Sequence, residues 1–375
     1  MKRIVGLIML SFFCLHSIAQ KPFKKKNIYQ TMEKVANWQL DHFEEQVAKG
    51  SRYKNSHAYW AWTNGAMYLG MLEWATLSNE EKYFRFLKDI GAKEGYKPGP
   101  DVYHADDICV SQLYLELFAK YKDSAMIKPT LERMDFILAN RKMGDLDFKR
   151  KGNQQRWSWC DALFMAPPAY VRAARITGNQ QYLAFMDEEF KATYDTLYDN
   201  THHLFFRDTR YKTQLEANGK KIFWGRGNGW VIGGLCMMID NLPANHPTRP
   251  FYINLFTEMM TSIVTLQDDK GFWHPSLLDP ASYPMPETSS SGFFTYGLAW
   301  GVNRGYLKDN KFKTAAKKGW KALYSVVAPD GKLGWVQPIG ADPKTVTADM
   351  TEVYGVGAFL MAGSEMYRMK KEVVT

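Results

Sequence analysis

The sequence contains few cysteines. Its 375 residues include four, and one of these, Cys14, lies in an apolar segment near the N-terminus. The three others are Cys109, Cys160 and Cys236. An odd number argues against a framework of disulfide bonds, and no cysteine–histidine spacing indicates a zinc site. Because each lies in an apolar run, we expect three small buried side chains rather than reactive thiols.

Beyond its first residues the chain also lacks a strong excess of one charge. The formal net charge is +9, but six positive charges stand near the N-terminus with no acid among them: Lys2, Arg3, Lys21, Lys24, Lys25 and Lys26. Residues 27–375 therefore carry only +3. This balance excludes the basic footprint that is typical of nucleic-acid-binding proteins, and we expect no nucleic-acid partner.

The N-terminal apolar run, IVGLIMLSFFCLHSIA, is too short for a membrane-spanning helix. Two basic residues precede it, and it ends in Ser17-Ile18-Ala19, which resembles a small-x-small cleavage site. The pattern predicts a signal peptide over residues 1–19. It also predicts a mature single domain over residues 20–375 that is periplasmic or secreted and has no membrane contact after cleavage.

Strand-like alternation is sparse, whereas helical spacing dominates the chain. Six segments share an aromatic or polar start, then small residues, then an apolar helix; they cover residues 60–77, 105–121, 157–179, 225–242, 289–307 and 348–367. Amphipathic segments rich in charge alternate with them, the first over residues 28–50. Helices that are apolar all round must be enclosed by others, so the pattern predicts an all-α fold, an (α/α)6 barrel of six inner and six outer helices. The starts of the inner helices would meet at one mouth.

Aromatic residues, by contrast, are abundant: they make up 15% of the chain, with 12 tryptophans and 21 tyrosines. Binding of nucleic acid does not need so many indoles, whereas a deep cleft for sugars stacks indole faces on pyranose rings. Trp62 and Trp157 stand at the starts of two predicted inner helices. We therefore expect both at the mouth of the barrel, in contact with a carbohydrate.

Two places offer carboxylates at the predicted mouth. Asp161, in RWSWCDALFMAPPAY, has apolar neighbours that raise a carboxyl pKa and suit a general acid, although aspartate is also a favoured helix N-cap. Asp106 and Asp107 are adjacent in YHADDICVSQLY, so one can cap the helix while the other faces the cavity. No ladder of oxygen ligands follows, so a calcium site is not indicated. Separated carboxylates suit acid/base chemistry at a glycosidic or enol ether centre.

The segment WGRGNGW, residues 224–230, holds Arg226 between glycines and between two indoles. Arginine binds carboxylates bidentately, and alternate glycines allow the backbone to approach a ligand closely. Trp224 and Trp230 offer ring faces. Together with the carboxylates, the segment indicates a site for an acidic sugar, a uronate, and Arg207, which follows two phenylalanines, is the next candidate to bind its carboxylate.

Three motifs, WGRGNGW, W-x-x-x-DALFMAP and ETSSSGFFTYGLAWGVNRG, resemble those of the unsaturated glucuronyl and rhamnogalacturonyl hydrolases, glycoside hydrolase families 105 and 88. The resemblance to family 105 is closer, and it covers nearly the whole mature chain. It implies an (α/α)6 barrel that removes a terminal 4,5-unsaturated uronate from oligosaccharides made by a polysaccharide lyase. In the implied mechanism Asp161 protonates carbon 4 of the double bond and helps a water add at carbon 5. The hemiketal so formed opens and releases the aglycone.

The resemblance also implies roles for other residues. The second family aspartate corresponds to Asp106 or Asp107, and the adjacent pair leaves this choice open. Arg226 would hold the uronate carboxylate or a neighbouring polar group, with Trp224 and Trp230 as pocket walls and Trp62 stacked on the sugar. The alternative for Arg226 is that it only braces the loop by bonding backbone carbonyl groups. No metal or organic cofactor is implied.

The family pattern has a histidine ahead of the glycine-rich motif, whereas this sequence has Arg207 in that place. The identity of the leaving sugar therefore stays open, and fragments of pectin, of ulvan and of glucuronate-bearing side chains are all candidate substrates. Two other functions remain as alternatives. One is another (α/α)6 carbohydrate enzyme, a polysaccharide lyase or an ordinary glycosidase, and the other is a non-catalytic periplasmic sugar-binding protein.

Overall fold

A computed structural model describes residues 21–50, 56–150 and 152–370, so the predicted signal peptide lies outside the described residues. The helices of these ranges are α1 (Lys25–Asp41), α2 (Phe43–Lys49), α3 (Trp62–Ser78), α4 (Glu81–Lys93), α5 (Ala105–Ile108), α6 (Ser111–Tyr121), α7 (Lys128–Ala139), α8 (Ala162–Met165), α9 (Pro167–Thr177), α10 (Gln180–Leu197), α11 (Gly225–Asn241), α12 (Arg249–Thr265), α13 (Thr288–Asn303), α14 (Asn310–Ser325) and α15 (Val353–Arg368). Strands β1 (Tyr198–Asp199) and β2 (Leu204–Phe205) form an antiparallel pair. None of the helices within the described ranges combines the length and the apolarity needed to cross a membrane.

The inner ring consists of α3, α6, α9, α11, α13 and α15, each of which packs against the next, while α15 closes the ring against α3. These helices are apolar on nearly every side. In α13, for example, every residue from Thr288 to Gly301 is buried. The six small-residue segments predicted from the sequence therefore correspond to the inner helices, as their apolar circumference requires.

The outer ring consists of α1, α4, α7, α10, α12 and α14; α7 packs against its outer neighbour α10, and each of the other five packs against one or two inner helices. An outer helix buries only one stripe. In α4 this stripe comprises Tyr83, Phe84, Leu87 and Ile90, whose spacing follows the helical period. The prediction of an all-α (α/α)6 barrel is confirmed.

Glycines allow the inner helices to approach very closely. A Cβ atom built on Gly70 of α3 would lie 2.3 Å from the carbonyl oxygen of Gly357 in α15, and one built on Gly357 would lie 2.4 Å from the carbonyl oxygen of Ala66. Because both obstacles are backbone atoms, no side-chain movement would relieve the clash. The small residues thus set the spacing between the first and last inner helices.

Two inner helices are interrupted near their starts, which the sequence pattern does not predict. The turn α8 is followed by α9, whose first two residues, Pro167 and Pro168, lack backbone N–H groups. The turn α5 is separated from α6 by Cys109 and Val110. Both interruptions lie next to the predicted site aspartates. The carboxyl groups are therefore positioned by the short turns α5 and α8 and not by the long inner helices.

Candidate active site

The starts of the inner helices meet at one end of the barrel, which we call the mouth. Trp62, the first residue of α3, stacks on Tyr354 in the first turn of α15 with the ring centroids 5.3 Å apart. Arg226, in the first turn of α11, bonds to the loop that precedes α15. Glu287 caps α13 by accepting hydrogen bonds from the backbone of Ser289 and Ser290. The predicted convergence at one mouth is thus observed.

Asp161 lies just before α8, and its side chain is almost buried, with 8% exposed. It caps no helix, because the start of α8 has no side-chain capping bond. Its Oδ2 atom accepts a hydrogen bond from the Cys160 thiol at 3.5 Å and lies 3.5 Å from Nε of Arg207. Burial raises the pKa of Asp161, while the nearby Arg207 and Arg226 oppose this shift. The carboxyl group is therefore free for acid/base chemistry rather than for helix capping.

Asp106 and Asp107 point in different directions. Asp107 is buried and accepts a hydrogen bond from the backbone N–H of Asp101 at 2.6 Å. Its carboxyl group also packs against Gly99, where a Cβ atom would come within 2.6 Å of it. Asp107 thus fixes the loop before α5, a structural contact that accounts for its burial.

Asp106 belongs to the same electrostatic group as Asp161. Its Oδ1 atom is buried without a hydrogen-bond partner, although 22% of the side chain is accessible. Burial is the largest cause of a pKa of about 6 for Asp106; the charges of Asp161 and Asp107 also raise the pKa, and His104 and Arg207 lower it. Of the adjacent pair, Asp106 is therefore the one whose carboxyl group interacts with Asp161.

Arg207 lies beside Asp161 because two segments of backbone are joined there. The backbone N–H of Cys160 donates to the carbonyl oxygen of Arg207 at 2.8 Å, and Trp159 forms a bridge with Asp208. Asn228, in the first turn of α11, bonds both backbone groups of Phe205 and so anchors the start of this loop. The structure therefore brings Arg207 to the place predicted for a site residue.

The structure places Arg226 differently from the prediction. Its side chain is fully buried, and its two terminal nitrogens donate to the carbonyl oxygens of Gln337 at 2.5 Å and Pro338 at 2.9 Å. The guanidinium group also lies over the rings of Trp224 and Tyr354, 4.5 Å and 4.9 Å from their centroids. Arg226 braces the loop before α15, and in this geometry its terminal nitrogens are not available to a substrate carboxylate.

Three of the tryptophans predicted to bind substrate, Trp224 and Trp230 as pocket walls and Trp157 at the mouth, are part of the core instead. Trp224 is 2% exposed, Trp230 0% and Trp157 3%. Trp230 packs between Phe164 and Phe293 at the centre of the inner ring. The large apolar rings are more stable when enclosed by the double ring than when exposed at the mouth. Trp62 alone of the four predicted tryptophans is half-buried at the mouth.

Trp157 faces away from the mouth, since it packs against Tyr170 and Phe185 on the side of the outer helix α10. The half-buried Trp62, by contrast, contacts Trp230 edge-on and Tyr354 face-on. Two rings that adjoin the acids in the sequence, His104 before Asp106 and Trp159 before Asp161, have their centroids 4.8 Å apart.

Several residues at the mouth were not predicted. His104 caps α5, and its Nδ1 atom lies 3.8 Å from Asp106. Gln337 is hydrogen-bonded through all of its polar groups, including bonds from Trp224, Arg226 and the hydroxyl of Tyr354. Nothing in the sequence around Gln337 signals this role, because its partners lie far away along the chain.

A cavity of about 640 Å³ lies at the opposite end of the barrel, where the inner helices end. Most of its charged residues form ion pairs with one another: Arg172 contacts Glu116 at 2.6 Å, and Arg304 contacts Asp240 at 2.9 Å. Among the described residues no group of three or more histidine, cysteine or acidic side chains is arranged to hold a metal ion. The candidate chemistry therefore lies at the mouth, around Asp106, Asp161 and Arg207.

A double ring of helices with two carboxyl groups and an arginine at one mouth defines an (α/α)6 enzyme that acts on carbohydrates. The chain belongs to Glycosyl Hydrolase Family 88, whose model matches residues 31–370. It is therefore a glycoside hydrolase, and membership of this family sets aside the alternative of a non-catalytic sugar-binding protein.

Individual proteins are similar over nearly the whole chain. An "Unsaturated 3S-rhamnoglycuronyl hydrolase" of Formosa agariphila is 38% identical over 381 residues, which cover 98% of each protein. A solved "Glycosyl hydrolase family 88" structure from Bacteroides vulgatus has a TM-score of 0.82 and 29% identity, and covers 92% of this chain and 99% of its own. A solved structure described as a polysaccharide lyase has a TM-score of 0.80 and 31% identity, over 92% of this chain and 97% of its own.

Proposed function

We propose that the protein removes a terminal 4,5-unsaturated uronic acid from oligosaccharides that a polysaccharide lyase has produced. The observation that carries the proposal is the pair of carboxyl groups at the mouth, Asp106 and Asp161, both with raised pKa values. The name of the Formosa agariphila relative supports a substrate of the unsaturated rhamnoglycuronyl type.

The reaction needs a proton donor close to the double bond and a water held beside it. Asp161 delivers the proton to carbon 4, and the resulting positive charge at carbon 5 is quenched by water. The same carboxylate then accepts a proton from that water, so that a hemiketal forms and collapses with loss of the aglycone. Asp106, whose pKa is about 6, retains a proton at higher pH than an ordinary carboxyl group and supplies the second acid of the pair.

The decisive experiment follows the near-ultraviolet absorbance of the enol-uronate during incubation with lyase-digested polysaccharides. A hydrolase of the proposed kind consumes the double bond, so the absorbance falls. A lyase creates the double bond from an intact polysaccharide, so the absorbance rises. The similarity to a solved polysaccharide lyase makes this second activity the alternative to test, and the sign of the change separates the two.

The role of Asp161 is tested with Asp161→Asn. Because a positioned acid contributes roughly a hundred- to ten-thousand-fold to the rate, this variant should fold and lose nearly all activity. Asp107→Asn is the matched control, since Asp107 is an equally buried aspartate that bonds to a loop. A variant at Asp161 that keeps half of the activity would exclude it as the acid.

We also propose two finer assignments. The motifs WGRGNGW and ETSSSGFFTYGLAWGVNRG support a place in family 105, and turnover of unsaturated rhamnogalacturonyl and rhamnoglycuronyl disaccharides would test it. The apolar run before Ala19 supports export to the periplasm or beyond. The mass of the protein recovered after export would show whether residues 1–19 have been removed.

A further inference from the structure

Arg207, which lies beside Asp161, shares one buried carboxylate with Arg210. Arg207 donates from Nη1 to Oδ2 of Asp208 at 2.7 Å. Arg210 donates to the same carboxylate twice, from Nη2 to Oδ2 at 2.8 Å and from Nε to Oδ1 at 2.8 Å. The Asp208 side chain has no exposed surface. One negative charge therefore holds two guanidinium groups in fixed positions, and the Asp161 carboxyl group lies 3.5 Å from Nε of Arg207.

An aromatic ring supports the same pair. The guanidinium carbons of Arg207 and Arg210 lie 4.8 Å and 4.2 Å from the centroid of the Phe148 ring. The backbone N–H of Phe148 in turn donates to the hydroxyl of Thr209 at 3.0 Å. Stacking on the Phe148 ring and bonding to Asp208 remove most of the rotational freedom of both side chains. Little further conformational entropy is therefore lost when they bind a ligand.

Some donors of this pair have no acceptor among the described residues. They are Nε and Nη2 of Arg207 and Nη1 of Arg210. The Nε atom of Arg207 is buried and makes no hydrogen bond, although Oδ2 of Asp161 lies 3.5 Å away. The Arg210 side chain is 36% exposed, so its unused edge reaches solvent. Fixed and partly desolvated donors that lack a partner are suited to bind an oxyanion.

We propose that Arg207 and Arg210 form a two-arginine clamp for an oxyanion of the substrate, with Asp208 and Phe148 as positioning residues. The anion is a sulfate ester or a carboxylate of the oligosaccharide, held next to the double bond that Asp161 protonates. This inference rests on the proposed function, which it deepens by naming the substrate as one with an anionic group at this position. Arg226 does not compete for the anion, since carbonyl groups occupy its terminal nitrogens.

The test uses Arg210→Gln, because Arg210 does not touch Asp161 or Asp106 in the structure. The substrates are a lyase-generated oligosaccharide with a sulfate ester beside the unsaturated uronate, its desulfated form, and the desulfated form in which the uronate is also reduced to the alcohol. Loss of one charge-assisted hydrogen bond should raise KM roughly tenfold with kcat almost unchanged. Arg175→Gln is the matched control, an arginine paired with Glu116 at the opposite end of the barrel.

The three substrates identify the anion. A rise in KM that is confined to the sulfated form supports a clamp for sulfate. A rise that is seen with both sulfated and desulfated forms and disappears with the reduced uronate supports a clamp for the carboxylate. An equal rise with all three, or no rise at all, overturns the proposal. If Arg210→Gln does not fold, Arg210→Lys serves instead, since it keeps the charge and loses the planar fork.

Binding measured by calorimetry separates this proposal from the proposed function. If the wild type consumes no unsaturated substrate, the proposed function fails, and the clamp is then judged by binding alone. A preference for the sulfated over the desulfated oligosaccharide, or for the acid over the alcohol, that Arg210→Gln removes would still support the clamp. Equal binding of these oligosaccharides to wild type and variant would overturn it.

Discussion

Replacement of Arg226 by lysine tests whether this buried arginine braces the mouth or binds the substrate. Its two terminal nitrogens donate to carbonyl oxygens of Gln337 and Pro338 in an environment that excludes water. A hydrogen bond from a charged group contributes about 1.5–3 kcal/mol, and lysine can replace at most one of the two. We therefore expect Arg226→Lys to lower the free energy of unfolding by about 2–3 kcal/mol.

The assay is urea-induced unfolding followed by tryptophan fluorescence, together with kinetics on the unsaturated uronate and on the same sugar reduced to the alcohol. A bracing role predicts a loss of activity that is equal for the two sugars. Tyr354→Phe is the control, because Tyr354 donates to the same carbonyl oxygen of Gln337 at 2.6 Å. The two substitutions should be non-additive. An unchanged free energy of unfolding, with a rise in KM confined to the acidic sugar, would refute the reasoning.

Three further predictions follow from the mouth and the inner ring. Asp106→Asn should reduce kcat by roughly a hundredfold or more. Asp107→Asn should keep its activity and lose about 1 kcal/mol of stability, because it weakens the hydrogen bond to the Asp101 loop. Similar kinetics for the two variants would contradict this assignment. The pKa of Asp106 is raised to about 6, so activity that needs its proton should fall as the pH rises through that value. If the pH–rate profile of Asp106→Asn is the same as that of the wild type, Asp106 is not the titrating group. Gly357→Ala should cost about 1–3 kcal/mol of stability in thermal unfolding, because its Cβ would meet a backbone oxygen at 2.4 Å, whereas Gly340→Ala, with its nearest atom at 3.5 Å, should be nearly neutral.

The arrangement of helices was predictable because it depends on local patterns. The segment predicted over residues 225–242 forms a helix over Gly225–Asn241, and the uniform burial of such segments requires an enclosing layer. The breaks before α6 and α9 were missed. Pro167 and Pro168 give a sequence signal for the second, since proline favours the first turn of a new helix.

The candidate site was less predictable, because its side chains are oriented by distant residues. The choice between Asp106 and Asp107 depends on where the loop at Gly99 and Asp101 returns, which adjacent positions in a motif do not reveal. The acceptors of Arg226 lie 111 and 112 residues further along the chain, so a sequence that looks like a ligand clamp forms an internal brace.

The contact between the first and last inner helices has a consequence for how the protein folds. Gly70 and Gly357 meet backbone to backbone, so the seam between α3 and α15 forms only after almost the whole chain has been synthesised. Until then the partner face of α3 is open, and its apolar residues are exposed to solvent and to other chains. Such a topology delays the final cooperative step of folding, and apolar surface that could aggregate stays exposed until that step is complete. Premature termination ahead of residue 353 would leave an open helical array in which the mouth cannot be completed, since Tyr354 and the rest of α15 form one of its walls.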